Sequence, residues 1–233
     1  MNTRTALLMI DRFGRELAPL DGFYAPAIIP ITGKTPLEFW LERLSEHRYT
    51  DVFICTGPYT RLIKQAYPNG EHWGLRLHYL DSRGEEHPEL LLERYRSLLP
   101  DELTVARGDV LPNGLSDTAW INRHYYKFGS ESSVDLETLH WPTMKKNSGG
   151  NPLLLIHPRD LLRSVHLIME GQLDDIVPRG LPTQPNHWVA THEFSAKRAE
   201  KVSGSLYVGR NARVMNSVQF DKGVCIEQGC YVD

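Results

Sequence analysis

The chain has 233 residues and a formal net charge of −3, with acidic and basic side chains intermixed along its length. This length suits one large domain, or a domain with an appendage. No long basic run is present, so neither a nucleic acid nor an anionic membrane is an expected partner. Apolar residues 6–10 form too short a run for a signal peptide, and no segment approaches the length of a membrane span. We therefore expect a cytoplasmic protein.

The first half of the chain alternates short apolar runs with amphipathic segments. Such alternation predicts a doubly wound, mostly parallel α/β sheet, whose ligands bind at the carboxyl ends of the strands. Asp11 follows the first apolar run and Asp109 follows the fourth, so a site is expected near these two residues. The pattern predicts strands at 5–10, 51–56, 75–80 and 103–106, and helices at 36–47, 59–66 and 88–99.

The middle of the chain gives weaker signals. Residues 113–150 mix polar and aromatic side chains and predict an antiparallel excursion over the site. Its aromatic group is more typical of core or interface than of a sugar-binding platform. That group comprises Trp120, Tyr125, Tyr126 and Phe128. Beyond it the pattern predicts a strand at 152–156, a helix at 158–170, a turn-rich link at 178–185 and a helix within 187–202.

The end of the chain has a six-residue period. Two small or apolar series run through it, and Gly, Asn, Asp and Lys fill the gaps between them. This period fits neither an α-helix nor an alternating strand, and it predicts a coil of short strands and tight turns, a hexapeptide-repeat β-helix. The period is incomplete at Asp233, so we expect a longer solenoid or an edge that another subunit covers. The two series are Val208, Val214, Phe220, Ile226 and Val232, and Leu206, Ala212, Val218, Val224 and Cys230.

Cysteines and histidines give no sign of a reactive or metal-binding site. Cys55, Cys225 and Cys230 lack metal-ligand or disulfide-framework spacing and are interpreted as reduced and structural. The histidines show no HxxxH or HExxH spacing, so they are interpreted as solvated or core residues. No Gly-x-Ser-x-Gly elbow is present, and nucleophilic catalysis has no support.

Residues 11–37 read DRFGRELAPLDGFYAPAIIPITGKTPL. This stretch resembles, without a gap, the signature of the sugar nucleotidyltransferases, GGxGTRLxPLT followed after three residues by PKxLLPVxGKPLI. ARGDVL at 106–111 resembles the family's strand ending in Gly-Asp, and NPLLLIHPRDLL at 151–162 resembles its NAGIYxxxPxxLL segment. The resemblance implies a Rossmann-like nucleotidyltransferase domain over residues 1–200 and a left-handed β-helix over residues 201–233.

The residues that carry the family's chemistry differ in this chain. The leading Gly-Gly of the signature is replaced by Asp11 and Arg12, its arginine by Glu16, and its lysine by Pro26. EEHPELL at 85–91 takes the place of the family segment that faces the nucleotide base. HWVAT at 187–191 resembles the family's Trp-x-Asp-Ile-Gly, with Ala190 in place of the second metal-binding aspartate.

The resemblance therefore implies a degenerate nucleotide or sugar pocket and assigns no catalytic residue. By the resemblance Asp109 would bind Mg²⁺, but a lone carboxylate holds Mg²⁺ poorly, and capping of a turn is equally expected of it. Loss of one preorganised charge contact typically removes about 2.7 to 4 kcal/mol of transition-state stabilisation, so little pyrophosphorylase activity is expected. A slip in register that brings Arg12 or Arg15 onto a phosphate is the alternative. The pocket set is Asp11, Arg12, Gly14, Arg15, Glu16, Pro26 and Asp109.

Two functions follow from the resemblance. The first is a non-catalytic or strongly impaired homologue, a regulatory or scaffolding subunit or a nucleotide-sugar sensor in nucleotide-sugar or bacterial surface polysaccharide metabolism. It would form a homo-oligomer, or a hetero-oligomer with an active paralogue. The alternative is a divergent enzyme that joins a sugar 1-phosphate to a nucleoside triphosphate with Mg²⁺ and releases pyrophosphate. A third possibility is acyltransferase chemistry in a solenoid that continues beyond Asp233. No residue of the chain supports or opposes this possibility.

Overall fold

The computed structural model describes residues 4–112, 123–147, 154–173, 176–184, 186–191, 194, 202–215, 217–220 and 223–232. They group into two compact units. The first comprises Met1–Ile29 and Pro36–Pro158, and the second comprises Pro30–Thr35 and Arg159–Asp233. The predicted domain boundary between residues 200 and 201 lies outside the described residues and stays a prediction. Among the residues described, no helix has the length and apolar character needed to cross a bilayer.

The first unit is built on a five-stranded sheet with the strand order β3-β2-β1-β4-β5. Strands β1 to β4 pair in parallel, and β5 adds antiparallel to β4. The order runs from β1 towards β3 on one side and from β1 to β4 on the other, so the carboxyl ends of β1 and β4 form a topological switch point. This confirms the predicted parallel sheet with an antiparallel addition. The strands are β1 (Arg4–Ile10), β2 (Tyr49–Thr56), β3 (Arg76–Asp81), β4 (Glu102–Arg107) and β5 (Tyr125–Lys127).

Both faces of this sheet are covered, which explains the continuous apolar run of β1. Alternate residues Ala6, Leu8 and Ile10 pack with side chains of α1 and α2 in one buried cluster. Leu7 and Met9 face the other way and pack with side chains of α3 and α4. The helices are α1 (Pro36–Glu46), α2 (Thr60–Ala66), α3 (Pro88–Arg94), α4 (Leu136–Leu139) and α5 (Trp141–Lys146).

Three predictions in this unit need comment. The helix predicted to reach residue 99 ends at Arg94, because Tyr95 leaves helical geometry and its hydroxyl donates to the Asp81 carbonyl over 2.7 Å. The strand predicted at 152–156 is wrong for its described residues, 154–156, where the Leu155 carbonyl accepts a side-chain hydrogen bond instead of joining a ladder. Tyr126 and Phe128 pack against the apolar core, as interpreted, and Trp120 lies outside the described residues.

The second unit contains α6 (Pro158–Met169) and six short strands. The turn-rich link contains β6, which forms an antiparallel hairpin with β7. Residues 187–189 form β7, which pairs in parallel with β8. The helix predicted within 187–202, over HEFSAKRAEKV at 192–202, falls almost wholly outside the described residues and stays a prediction. The strands are β6 (Leu181–Gln184), β7 (His187–Val189), β8 (Leu206–Val208), β9 (Arg213–Val214), β10 (Val224–Ile226) and β11 (Tyr231–Val232).

The six-residue period corresponds to a packing period. Strand β10 pairs in parallel with β8, and β11 with β9. In both pairs the partner lies 18 residues later, as for Leu206 with Val224 and Arg213 with Tyr231. One apolar cluster contains all of the first predicted series and, from the second, Leu206, Ala212 and Val224. Successive segments therefore stack parallel strands over a common core at an interval of three repeats.

The segment 30–35 belongs to the second unit because of one carboxylate. Glu227 accepts hydrogen bonds from the Thr32 N–H at 2.6 Å and from the Gly33 N–H at 3.1 Å. Gly33 has a φ of 77°, and a Cβ there would lie 1.8 Å from the Tyr207 hydroxyl. Burial raises the pKa of Glu227, while the two N–H donors oppose that rise. Thr32 and Gly33 thus anchor a turn of the chain in the second unit.

Gly209 provides a test of the stacked arrangement. A Cβ on Gly209 would lie 2.5 Å from the Gln228 nitrogen, in the segment that follows β10. Because that neighbour is backbone, Gly209→Ala should lower the free energy of unfolding by about 1 to 3 kcal/mol. Gly22→Ala is the matched control, since a Cβ there meets nothing within 4 Å. Urea denaturation of both variants measures the difference, and equal stabilities would contradict the stacking.

Candidate functional site

Two buried carboxylates lie side by side at the switch point. Asp11 follows β1 and Asp109 follows β4, and both side chains are fully buried. The register fixes their proximity, because Met9 pairs with Arg107 and the Gly108 N–H donates to the Met9 carbonyl over 2.9 Å. The structure thus places both residues where the alternation of strands and helices predicts a site.

A single guanidinium bridges the two carboxylates. Arg107 Nε donates to Asp109 Oδ1 at 2.9 Å, and its Nη2 donates to Asp109 Oδ2 at 2.6 Å and to Asp11 Oδ1 at 3.2 Å. Burial disfavours the charged form of Arg107, but the charges and hydrogen bonds of Asp109 and Asp11 prevail and raise its pKa. Bidentate, charge-assisted pairs of this kind are the strong hydrogen bonds of protein interiors. Both carboxylates therefore have a cationic partner within the chain.

A second buried guanidinium, that of Arg12, adjoins this bridge. Its Nη2 donates to the Leu155 carbonyl at 3.1 Å, and its Cζ lies 4.0 Å from the centre of the Trp141 ring. Its Nε lies 3.3 Å from Glu16 Oε1 and 4.0 Å from Asp109 Oδ2. Burial lowers the pKa of Arg12, against the attraction of Asp109 and Glu16. Arg12 thus faces inward, onto an aromatic ring and two acids.

The other residues of the predicted pocket set lie in three different surroundings. Glu16 joins the buried charges, with its Oε2 3.8 Å from Lys145 Nζ. Gly14 and Pro26 lie against each other, since a Cβ on Gly14 would be 2.5 Å from Pro26 Cγ. Arg15 is exposed, and its guanidinium lies 5.1 Å from the Phe13 ring. The structure therefore brings Asp11, Arg12, Glu16 and Asp109 together and leaves Arg15 apart.

The loop that follows β3 is tied to the loop that follows β1. Asp11 Oδ2 accepts hydrogen bonds from the Ser82 hydroxyl at 2.7 Å and from the Glu86 N–H at 3.1 Å. The Glu85 N–H donates to the Asp11 carbonyl at 3.1 Å, and the Glu85 carboxylate accepts from the Phe13 N–H at 3.1 Å. The start of the segment that the resemblance assigns to base recognition is thus bonded to the first loop.

Two central residues, Arg107 and Trp141, escape the sequence-based prediction. Arg107 carries a signal that can be found, because it is a charged residue inside the apolar strand ELTVAR, directly before Gly108-Asp109. Such a residue at a strand end is either exposed or paired in the interior. Trp141 gives no comparable signal, because its contact with Arg12 depends on tertiary packing alone.

The residues present do not fit the predicted Mg²⁺ site. Mg²⁺ requires near-octahedral oxygen ligands at about 2.0–2.1 Å and usually keeps several waters. Both oxygens of Asp109 accept hydrogen bonds from Arg107, and both oxygens of Asp11 accept hydrogen bonds from Arg107, Ser82 or Glu86. Alanine at 190 supplies no further carboxylate. The guanidinium of Arg107 thus stands where a bridging cation would bind.

Glu86 gives the loop a pH dependence. The hydrogen-bonded Arg94 outweighs the opposing effect of burial and, with the Arg83 N–H and the Ser82 hydroxyl, lowers the pKa of Glu86 to about 2. The ionised Glu86 carboxylate therefore stabilises the folded chain. This stabilisation is fully present above the ordinary glutamate pKa of about 4.3 and is lost as the pH falls towards 2.

Glu86→Gln should lower the free energy of unfolding at pH 7 by about 2 to 3 kcal/mol. Urea denaturation between pH 7 and pH 2 measures the free energy of unfolding of the variant and of the wild type. The difference between the two should shrink as the pH falls. Glu102→Gln is a control that removes an exposed ion pair with Lys127, so its effect on stability should be small. A difference for Glu86→Gln that is independent of pH would contradict this assignment.

No protein-family model matches the chain, and no curated protein matches it. Among solved structures it is similar to a Bacillus anthracis protein described as a glucose-1-phosphate thymidylyltransferase, in complex with a sucrose, with 16% identity, coverage of 47% of this chain and 45% of that chain, and a TM-score of 0.43. It is similar to a UDP-glucose pyrophosphorylase complexed with UDP-glucose, with 14% identity, coverage of 51% and 50%, and a TM-score of 0.42. It is also similar to an inositol-1-phosphate CTP transferase from T. maritima, with 12% identity, coverage of 48% and 46%, and a TM-score of 0.41. The chain spans about half the length of these structures, and the match covers about half of the chain.

Proposed function

We propose that this chain is a sugar nucleotidyltransferase-like protein that does not catalyse nucleotidyl transfer and acts as a regulatory or scaffolding subunit or a nucleotide-sugar sensor. The observation that carries the proposal is the bridge from Arg107 to Asp11 and Asp109 at the switch point of the sheet. The resemblance of residues 11–37 and 106–111 to the family signatures names the family.

The charges around the bridge oppose the family's chemistry. Nucleotidyl transfer needs cationic groups and a metal that stabilise the charge developing on the phosphates. Here the cations Arg12, Arg107 and Lys145 are each already paired with Asp11, Glu16 or Asp109. A polyphosphate brought to this site would have to displace an acid from one of these cations. Expelling Arg107 to admit a metal would break a buried ion pair, typically a loss of about 3 to 5 kcal/mol.

The second unit supports a scaffolding role. We propose that it is a left-handed β-helix with three six-residue steps in each coil. The 18-residue offset between paired parallel strands supports this arrangement, and the handedness is taken from the family resemblance. The outer coils of a solenoid present unpaired strand edges, which another copy of the chain or a related subunit would cover.

A divergent active enzyme is the competing proposal. It is favoured by the position of Asp11 and Asp109 at the carboxyl ends of adjacent parallel strands, where ligands of open α/β sheets bind. Activity would require Arg107 to leave both carboxylates so that Mg²⁺ could bind in its place. If the wild type turns over, Asp109→Ala tests this competing proposal, because unchanged turnover in that variant would exclude a working metal site at Asp109.

We expect the wild-type protein to release no pyrophosphate above background from a sugar 1-phosphate and a nucleoside triphosphate with Mg²⁺. Calorimetry with nucleotide sugars, with and without Mg²⁺, then tests the sensor role, and binding should not depend on the metal. Rapid pyrophosphate release from any common pair of substrates would overturn the proposal of a non-catalytic subunit.

Removal of the bridge should create metal dependence. Arg107→Met removes the guanidinium that is hydrogen-bonded to both buried carboxylates, so stability without metal should fall by about 3 to 5 kcal/mol, and Mg²⁺ should restore part of it. Thermal unfolding with and without Mg²⁺ measures the effect. Arg94→Met, which breaks the ion pair with Glu86, is the control and should show no response to Mg²⁺. Equal responses of the two variants would contradict the role given to Arg107.

A further inference from the structure

A second cluster of metal-ligating side chains lies outside the switch point. We propose that His87, Glu137 and His140 form a binding site for a transition-metal dication, with Zn²⁺ as the best fit. One ligand atom from each residue lies within 4.8 Å of the other two. His87 Nε2 lies 2.9 Å from Glu137 Oε2, and the His87 and His140 rings have centroids 5.0 Å apart.

The fold, and not mutual attraction of the three groups, sets these distances. His87 is the residue that caps the N-terminus of α3, directly before Pro88. Glu137 lies in α4 and His140 ends it, so the pair has the i, i+3 spacing that puts two side chains on one side of a helical turn. Buried leucines of α3 and α4 pack in the same cluster. The apolar core therefore holds the ligand-bearing elements together.

The carboxylate is already oriented for a ligand. Glu137 Oε1 accepts a hydrogen bond from the Thr143 hydroxyl at 2.5 Å, which leaves Oε2 directed at His87. Hydrogen bonds from Thr143 and His87 lower the pKa of Glu137, so the group is ionised at neutral pH. Metal-binding carboxylates commonly have such a second hydrogen-bond partner, and its loss typically weakens metal affinity 10- to 100-fold.

The donor set selects the metal. Two imidazoles and one carboxylate suit Zn²⁺ and similar dications, whereas Mg²⁺ and Ca²⁺ prefer oxygen ligands alone. Zn²⁺ binds nitrogen and carboxylate oxygen at about 2.0–2.2 Å, so tetrahedral ligands lie roughly 3.3 Å apart. The widest separations in the cluster must therefore shrink by about 1 to 1.5 Å. Glu137 is exposed, so its side chain can rotate without disturbing the core. Water supplies the fourth position.

Metal binding gives up one existing contact. His87 Nδ1 accepts a long hydrogen bond, 3.3 Å, from the Glu89 N–H at the start of α3. A metal on Nε2 requires the ring proton on Nδ1, so this capping bond is lost. The proton on His87 Nε2 moves to Nδ1 by exchange with solvent, so the imidazole stays neutral, and Glu137 Oε2 is released to bind the metal.

Titration of the full chain with Zn²⁺ by calorimetry should give saturable one-to-one binding and a rise in thermal stability. Co²⁺ should give the intense visible bands of four-coordinate cobalt. His140→Ala and Glu137→Gln should each abolish these signals or weaken binding at least tenfold. Thr143→Val should weaken binding 10- to 100-fold without removing a ligand. His72→Ala removes an exposed histidine outside the cluster and should bind as the wild type does.

Absence of saturable Zn²⁺ binding to the wild type would overturn the proposal, as would binding that survives His140→Ala. His87→Gln is a second ligand variant, for use if His140→Ala disturbs folding. Glutamine is chosen because it keeps a polar side chain beside the Glu89 N–H. Retained Zn²⁺ affinity in a folded His87→Gln protein would also overturn it. The pyrophosphate and Mg²⁺ assays above use neither histidine, so the two proposals fail independently.

Discussion

The first unit depends on the bridge between Arg107 and the carboxylates of Asp11 and Asp109. The register of β1 with β4 brings two acids into the interior at one edge of the sheet, where unpaired charge is strongly unfavourable. Arg107 makes that arrangement possible, because its planar guanidinium donates to both acids at once. The loops after β1 and β3 then bond to Asp11 from the other side.

The positions of the first loop that differ from the family signature lie near these charges. Arg12 packs against Trp141, and Glu16 supplies the acid beside it. Pro26, which by the resemblance replaces the family's lysine, packs on Gly14. Arg12 and Glu16 thus lie beside each other, Asp11 shares Arg107 with Asp109, and Pro26 packs separately on Gly14.

Much of the fold could be predicted from the sequence, because it follows from local periodicity. Strands β1 to β4 and helices α1 and α2 have apolar spacing that permits one structure, and the places of Asp11 and Asp109 follow from them. The pairing of β7 with β8 could not be predicted, since β7 has only three residues and its partner lies 19 residues away. The bridge by Arg107 and the approach of His87 to His140 were missed for a similar reason. Both depend on which side chains tertiary packing brings together, and single-sequence spacing does not encode this.

The turn at Thr32 and Gly33 interleaves the two units along the chain. It lies between β1 and α1 in sequence, yet it is held by Glu227, a partner 195 residues from Thr32. During synthesis the amides of this turn cannot bond to Glu227 until nearly the whole chain has been made. Closing so long a loop is entropically unfavourable. A shortened chain that ends at Pro158 would leave those two amides without that carboxylate. The two units are therefore compact in space but not separable by one cut.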